Sequence, residues 1–363
     1  MLKVGIIGST GYAGVELLRI LLRHPGVEKI YVSSVSFEGQ QIDSVYQNLI
    51  GQLGDKCDGK LIGIEELKEK SDLVFTALPH GIAEEHADWC LKRGKKLIDL
   101  SADFRYGMDE ETFKTWYKKD WKFPETHKKS VYGLPEMYRE EIKKAEIIGN
   151  PGCYVTSATL GLMGALKNNL VNTDLIIVDS KSGVTGAGRN PSMTNSFCEC
   201  GESFSAYGVG KHRHQSEIVR NCSLIAGKDV NIVFTPHLIP QNRGILSTIY
   251  APLTDEGMKK IAENAEKFGG DGEAYVRSLY EETFKNELFV RVLPKGVNPT
   301  TRVVRFSNYC DIQVYIVNGG RMLEIVSCLD NMVKGAAGQA VQNMNLMYGF
   351  DEKTAIDFVP PAF

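Results

Sequence analysis

Apolar positions at the start of the chain fall into short blocks separated by turns. Lys3 to Ile7 reads as a buried strand. Leu17, Leu18 and Leu21 recur at helical spacing beyond a glycine turn. The same grammar predicts a strand and its exit over Lys29 to Phe37, the exit being Ser33-Ser34-Val35-Ser36, and strands at Asp72 to Leu78, Lys96 to Ser101 and Glu146 to Gly149, with helices at Ala83 to Lys92 and Glu136 to Lys144. The polar stretch Met108 to Lys129 predicts a surface helix and loop. Strand-helix alternation of this kind predicts an α/β domain, a Rossmann-type doubly wound parallel sheet whose ligands lie at the carboxyl ends of the strands.

From Thr173 the pattern changes. Strands are expected at Asp174 to Ser180, Asp229 to Thr235, Ile245 to Ala251, Leu288 to Leu293, Thr301 to Phe306, Asp311 to Val317 and Met322 to Cys328. Helices are fewer, at Ser216 to Ala226, Asp255 to Lys267 and Gly272 to Thr283. This predicts a second, α+β domain with a mixed sheet and helices on one side. A last helix, Asn331 to Tyr348, contains Gly335 and Gly338. Each costs a helix about 1 kcal/mol relative to alanine, so they suggest close approach to a neighbour or a coenzyme.

The chain's 363 residues suffice for two cores, and a net charge of -3 gives no cationic excess for a nucleic-acid partner. No apolar run approaches a membrane span, and no signal-like segment precedes the first strand, so a cytoplasmic protein is expected. Eight cysteines without small-domain spacing predict reduced thiols. Cys198, Cys200, Cys222, His212 and His214 are soft ligands whose spacing matches no usual zinc pair, so no metal is expected.

The first glycine turn is Gly8-Ser9-Thr10-Gly11-Tyr12-Ala13-Gly14. Placed between strand and helix, GxxGxxG is a variant of the dinucleotide fingerprint: Gly8 for the tight turn, Gly11 for backbone approach to a pyrophosphate, Gly14 for helix packing on strand. The exit of the second strand offers Ser33 and Ser36 and no carboxylate to hold a ribose 2′-hydroxyl, which favours NADP over NAD. Pro79-His80-Gly81 ends the next strand and can border the same coenzyme.

Ile148-Gly149-Asn150-Pro151-Gly152-Cys153-Tyr154-Val155-Thr156-Ser157 carries the candidate nucleophile. Cys153 stands where a strand ends and a helix begins, beside unpaired N–H groups and the positive end of the helix dipole, which favour the thiolate. A proton shuttle for such a cysteine is available in Lys211-His212-Arg213-His214. In an extended segment His212 and His214 would point the same way; His212 is preferred as acid/base, His214 is its rival, and Glu217 is a candidate orienting carboxylate. Ser182-Gly183-Val184-Thr185-Gly186-Ala187-Gly188-Arg189 follows a strand and offers successive backbone N–H groups as an anion nest, with Arg189 as a clamp. Arg105, in Ser101-Ala102-Asp103-Phe104-Arg105, is a further anion-binding candidate.

Over nearly its whole length the chain resembles the N-acetyl-gamma-glutamyl-phosphate reductase family, within the aspartate-semialdehyde dehydrogenase superfamily. The block from Ile148 to Ser157 fits the family signature. GSTGYAG, ALPHG, LSADFR, SGVTGAGR, GKHRH, TPHLIPQNRGI and DNMVKGAAGQAVQN are similar to its other blocks, in order. Phe306-Ser307-Asn308 departs from the family's usual Gly-Ser-Asn. The resemblance implies that Cys153 is the nucleophile, His212 the acid/base, and Gly8 to Gly14 the NADP turn. It also implies that the last helix, around Asn331, Gly335 and Gln339, returns to the coenzyme domain beside the nicotinamide. The expected domains are therefore 1–149 with 330–363 for NADP, and 150–329 for catalysis, substrate and oligomerisation. The family reaction is reduction of the acyl phosphate N-acetyl-L-glutamyl 5-phosphate to the semialdehyde through a cysteine thioester, in arginine biosynthesis, by a homo-oligomer that is a tetramer or a dimer. Two related substrates compete with that reading, aspartyl phosphate and a carrier-linked aminoadipyl phosphate. A coenzyme-sensing regulator would use the dinucleotide turn but leave Cys153 and the histidines without a purpose.

Overall fold

A computed structural model describes residues 1–362. The chain forms two compact units, Met1–Gly152 with Ala336–Phe358, and Cys153–Gly335 with the final residues from Val359. The last helix thus belongs with the first strands.

In the first unit the strands are β1 (Leu2–Ile7), β2 (Val27–Ser33), β3 (Leu73–Thr76), β4 (Lys96–Asp99), β5 (Ser130–Tyr132) and β6 (Ile147–Gly149). Among the described residues they form one sheet, ordered β2-β1-β3-β4-β6-β5, and each neighbouring pair is parallel. Val4, Ile6, Phe75, Leu97, Ile98 and Ile148 are fully buried, as helices on both faces of a parallel sheet require. The chain leaves β1 for β2 on one side and then crosses to β3 on the other. The carboxyl end of β1 is therefore a topological switch point.

The second strand ends at Ser33, where its exit is expected, because the Ser33 carbonyl accepts the N–H groups of Gly8 and Ser9 (3.1 and 3.0 Å) and the chain then turns away. Met108 to Lys129 holds the expected helix, at Glu110–Tyr117, but the stretch is not all surface: Phe113, Tyr117 and Trp121, at i, i+4 and i+8, are buried with Ala102 and Tyr106 in their own cluster. Phe113 stacks on Tyr117 at 5.0 Å and Trp121 on His127 at 3.7 Å. The abundant lysines of the stretch mask this aromatic face, and β5 follows it.

The second unit holds β7 (Ile176–Gly183), β8 (Ser205–Ala206), β9 (Ile232–Ile239), β10 (Ile245–Pro252), β11 (Val290–Val292), β12 (Cys310–Val317) and β13 (Met322–Leu329). Their order is β11-β12-β13-β10-β7-β9-β8; β7–β9 and β11–β12 are parallel and the other pairs antiparallel, so the sheet is mixed. Burial alternates along β10, and Ile177 and Val233 on the neighbouring strands are 39% and 49% exposed. One face is therefore left uncovered. On the other lies the helix Cys153–Lys167, brought close by small residues: a Cβ on Gly161 would lie 2.8 Å from Ile249, and one on Gly164 2.7 Å from the Tyr280 ring. Buried serines join this helix to the sheet, with Ser157 Oγ 2.9 Å from Ser247 Oγ and 3.2 Å from Ser327 Oγ, and Ser180 Oγ 2.7 Å from Ser247 Oγ.

Thr301 to Phe306, expected as a strand on its β-branched residues, is instead a short 3-10 turn at Thr301–Val303 that leads to Phe306 at φ +61°. The expected last helix begins as a π-turn, Val333–Ala337, before regular α-helix over Gly338–Tyr348.

Candidate active site

The turn before the cysteine is held from its own unit. Gly149 leaves no room for a side chain, since a Cβ there would lie 2.1 Å from the Phe104 carbonyl oxygen. Arg105, 4% exposed, donates from Nε to the Asn150 carbonyl (2.7 Å) and from Nη2 to that of Leu100 (3.0 Å). Asn150 donates from Nδ2 to the Ala336 carbonyl and accepts at Oδ1 from Asn343 (both 3.1 Å). The arginine expected to grip an anion thus braces Asn150-Pro151-Gly152.

Cys153 then opens the fifteen-residue helix Cys153–Lys167, at the end where backbone N–H groups lack helical partners. It is partly exposed. Cys57, Cys90, Cys222, Cys310 and Cys328 are buried; burial pushes the Cys57 thiol up to about 11 and that of Cys90 to about 12, so these stay protonated hydrophobes. Against Cys153 packs Gly335. A Cβ on Gly335 would lie 2.7 Å from Cys153 Cβ and 3.2 Å from its Cα. The π-turn carrying Gly335 is set by Asp330, which is fully buried: its carbonyl accepts from Gly335 N (2.9 Å), Oδ1 from Met332 N (2.7 Å), and Oδ2 from Phe306 N (2.6 Å). Arg243 Nη1 lies 3.5 Å from Asp330 Oδ2, with its guanidinium over the Phe306 ring at 4.7 Å. Left-handed backbone at Phe306 explains why a glycine would suit that position.

The histidine segment is not extended. His214 already begins the helix His214–Ala226, so His212 and His214 do not alternate along a strand. His212 sits among four rings: Tyr154 (5.7 Å), Tyr207 (5.5 Å), Phe234 (5.4 Å) and His214 (4.8 Å), each crossing it edge to face. Its Nδ1 accepts the His214 backbone N–H (3.2 Å). Burial, helped by the Arg213 charge, lowers its pKa to about 4. Tyr207 donates to the Tyr154 hydroxyl (3.0 Å), which donates to the His237 carbonyl (3.2 Å). Burial pushes the Tyr207 phenol up to about 12, and negative charge on Cys153 acts in the same direction. Glu217 is fully buried in the first turn of its helix and makes no hydrogen bond to His212.

The loop after β7 does not form the expected anion nest at its start. The N–H groups of Gly183, Val184 and Thr185 bond to the carbonyls of Gly244, Gln241 and Asn242 (2.9, 2.8 and 3.2 Å). Ser182 is buried, and its hydroxyl donates to the Gly183 carbonyl (3.0 Å). Asn331 links this loop to the next, donating to Thr185 Oγ1 (3.0 Å) and accepting from Gly244 N (2.8 Å). Arg189 stands half-buried at the loop's end. Tyr207 carries no signal in the sequence, and Arg243 and Asp330, though they lie in the family-like blocks TPHLIPQNRGI and DNMVKGAAGQAVQN, show their partners only in the fold.

In the first unit, Gly8 has φ +85°, and a Cβ there would lie 2.4 Å from the Ala77 carbonyl oxygen. Gly14 lies against Gly8, where a Cβ would come within 2.3 Å of the carbonyl oxygen. Gly11 precedes the helix Tyr12–Leu21, whose first turn has no acidic residue; Tyr12 and Ala13 are half-exposed. Open N–H groups at such a helix end suit a pyrophosphate. Ser9 donates to the Ser33 carbonyl (3.0 Å) and Thr10 Oγ1 lies 2.6 Å from Ser34 Oγ, so the turn is tied to the serine exit of β2. Ser36 and Pro79 are exposed, and His80 Nδ1 accepts from Ala102 N (3.0 Å). The residues present fit a dinucleotide. Among the described residues no cluster of His, Cys, Asp and Glu could hold a metal, and no helix is long and apolar enough to cross a membrane.

The family model for the NAD binding domain of semialdehyde dehydrogenases matches residues 3–145, and that for their dimerisation domain matches 153–331. The chain is 46% identical over 363 residues, all of both chains, to a protein of Clostridium beijerinckii named N-acetyl-gamma-glutamyl-phosphate reductase. It is 47% identical over 362 residues, 99% of each chain, to one of that name from Thermoanaerobacter pseudethanolicus. Among solved structures, aspartate semialdehyde dehydrogenase II of Vibrio cholerae aligns over 96% of this chain and 98% of its own, with TM-score 0.69 and 16% identity. The Candida albicans aspartate semialdehyde dehydrogenase with NADP aligns over 96% and 99%, with TM-score 0.64 and 13% identity. These two likenesses bear on the fold alone.

Proposed function

The chain belongs to the N-acetyl-gamma-glutamyl-phosphate reductase family of semialdehyde dehydrogenases, and from that membership we propose that it reduces N-acetyl-L-glutamyl 5-phosphate to N-acetyl-L-glutamate 5-semialdehyde in arginine biosynthesis. The observation that carries the mechanism is Cys153, a partly exposed thiol at a helix N-terminus, braced by Gly335. Its thiolate attacks the acyl carbon, a C–S bond forms, and the C–O bond to phosphate breaks. Sulfur suits both halves of the reaction, because the thioester accepts hydride readily and thiolate then leaves well. The Gly8–Gly14 turn would hold NADPH, which would supply that hydride. The serine exit of β2, free of carboxylate, supports NADP over NAD, with Ser33 and Ser36 as candidates for the 2′-phosphate. Pro79, Ser182, Gly183, Asn331 and Gly335 would border the coenzyme, and Arg189 and His214 the substrate, whereas Glu217, fully buried, does not reach it. Arg105 acts in this reading through the turn it braces. The uncovered sheet face of the second unit suits a second copy of the chain, and a reducing cytoplasm would keep the thiol available.

Replacement Cys153→Ser tests the reading. The variant should still bind NADPH by fluorescence titration while phosphate-dependent oxidation of the semialdehyde by NADP is lost. Running wild type in that direction with NAD, and with aspartate semialdehyde, reads coenzyme and substrate choice in the same assay. Turnover that survives in the variant refutes covalent catalysis.

A further inference from the structure

We propose that Asp103 and Lys119 are positioning residues for the coenzyme: together they hold the turn Pro79-His80-Gly81 rigid, as the wall of the dinucleotide crevice on the side away from the glycine turn. This rests on the coenzyme reading above. The place of the turn follows from the sheet. Ligands of a doubly wound sheet lie outside the carboxyl ends of its strands at the switch point, here between β1 and β3. Ala77, the first residue past β3, donates to the Ile7 carbonyl (2.9 Å), and its own carbonyl leaves no room for a side chain at Gly8. Pro79-His80-Gly81 follows at once, so it lines from the β3 side the crevice that Gly8 to Gly14 lines from the β1 side.

The turn is not held by its own side chains. Pro79 is exposed and Ile82 is 44% exposed, so neither anchors it in a core. Gly81 has φ +83°, and Ile82, which stands where a cap for the helix Ala83–Leu91 is needed, has no hydrogen-bonding side chain. Asp103, beyond β4, supplies what is missing: Oδ1 accepts from Gly81 N (2.6 Å) and Oδ2 from Ala83 N (2.9 Å). Lys119 lies along Gly81 and donates from Nζ to the His80 carbonyl. Asp103 is in turn fixed by the strand ends. Thr76 and Ser101 donate their hydroxyls to the Asp99 carboxylate (2.7 and 2.6 Å), and Ser101 Oγ accepts from Asp103 N (3.2 Å).

A fully buried carboxylate committed to an exposed turn points to function more than to stability. Burial first, and the Glu84 charge with it, push the Asp103 carboxyl above its ordinary range, so the ionised form that accepts both N–H groups is held against a penalty. What the arrangement gains is affinity, because a turn already ordered need not be ordered by the coenzyme when it binds.

The test separates binding from folding. In full-length protein without coenzyme, backbone amide exchange over residues 80–84 should be slow in wild type. It should be faster in Asp103→Asn, whose amide group turns a donor toward one of the two N–H groups. The same variant should bind NADPH about ten-fold more weakly by fluorescence titration, the loss expected when the turn holds its bound shape about a tenth of the time. KM for NADP in semialdehyde oxidation should rise with it, while KM for the semialdehyde and kcat at saturating coenzyme change far less. Lys119→Met keeps a stem over Gly81 and removes the donor at an exposed position, and should weaken NADPH binding by about three-fold; it decides the matter if Asp103→Asn does not fold. Folded Asp103→Asn with wild-type affinity, a wild-type turn that exchanges freely, or Lys119→Met indistinguishable from wild type overturns the proposal. Wild type that binds no NADPH overturns the coenzyme reading and the proposal together, whereas wild-type binding with unchanged variants overturns the proposal alone.

Discussion

Replacing Gly335 with alanine sets two opposite effects against each other. Position 335 has no positive φ, so alanine is conformationally acceptable, and helix propensity alone would favour it by about 1 kcal/mol. The new methyl group, however, would stand 2.7 Å from Cys153 Cβ, where ordinary contact begins at 3.4 Å. The two backbones must part by about 0.7 Å, and overpacking of this kind costs about 1–3 kcal/mol. Neither side yields easily: Gly335 N is bonded to the Asp330 carbonyl, and Cys153 starts a helix fixed to its sheet by Ser157. Gly335→Ala should therefore lower stability by up to about 2 kcal/mol net. Displacement of a reacting atom by about 1 Å costs on the order of 10²-fold in rate, so kcat should fall by tens of fold. Steady-state kinetics of semialdehyde oxidation, with thermal unfolding of the same preparation, measures both. Wild-type kcat together with an unchanged or raised Tm means the neighbours absorb the methyl without moving sulfur, and the reasoning fails.

Gly14→Ala should weaken NADPH binding, read by fluorescence titration, and lower Tm, because its Cβ would meet the Gly8 carbonyl oxygen at 2.3 Å; unchanged affinity would detach this turn from the coenzyme. At Phe306, φ +61° favours glycine, so Phe306→Gly should exceed Phe306→Ala in stability by about 1 kcal/mol in urea unfolding, and equal values would show no backbone strain there. Because the folded state lowers the His212 pKa from 6.5 to about 4, the unfolded chain binds more protons across that window. Stability should fall as pH drops through it, and His212→Gln should show a shallower fall in denaturation midpoints than wild type; parallel slopes would contradict the sign.

The coenzyme turn and the cysteine were legible because each is a local pattern: strand, glycine, helix in one case, and strand, Pro-Gly, Cys, helix in the other. The strands β10 and β13 were likewise readable, since burial alternates along β10 and along the first six residues of β13. What escaped depends on partners distant in sequence. Thr301 to Phe306 looks like a strand until Asp330 captures the Phe306 N–H and turns the chain. The last helix opens as a π-turn because Gly335 must fit against Cys153. Phe113, Tyr117 and Trp121 recur at helical spacing, but the surrounding lysines outweigh them in any reading by polarity. The aromatic box around His212 draws on four separate segments, and Tyr207 announces nothing by its neighbours.

The serines beneath the cysteine helix give the site a thermal character of its own. Attraction between apolar surfaces weakens on cooling, whereas hydrogen bonds between hydroxyls owe their strength to enthalpy. A helix tied to its sheet through Ser157, Ser247, Ser180 and Ser327 should keep its alignment in the cold, even where the surrounding hydrocarbon loosens its grip.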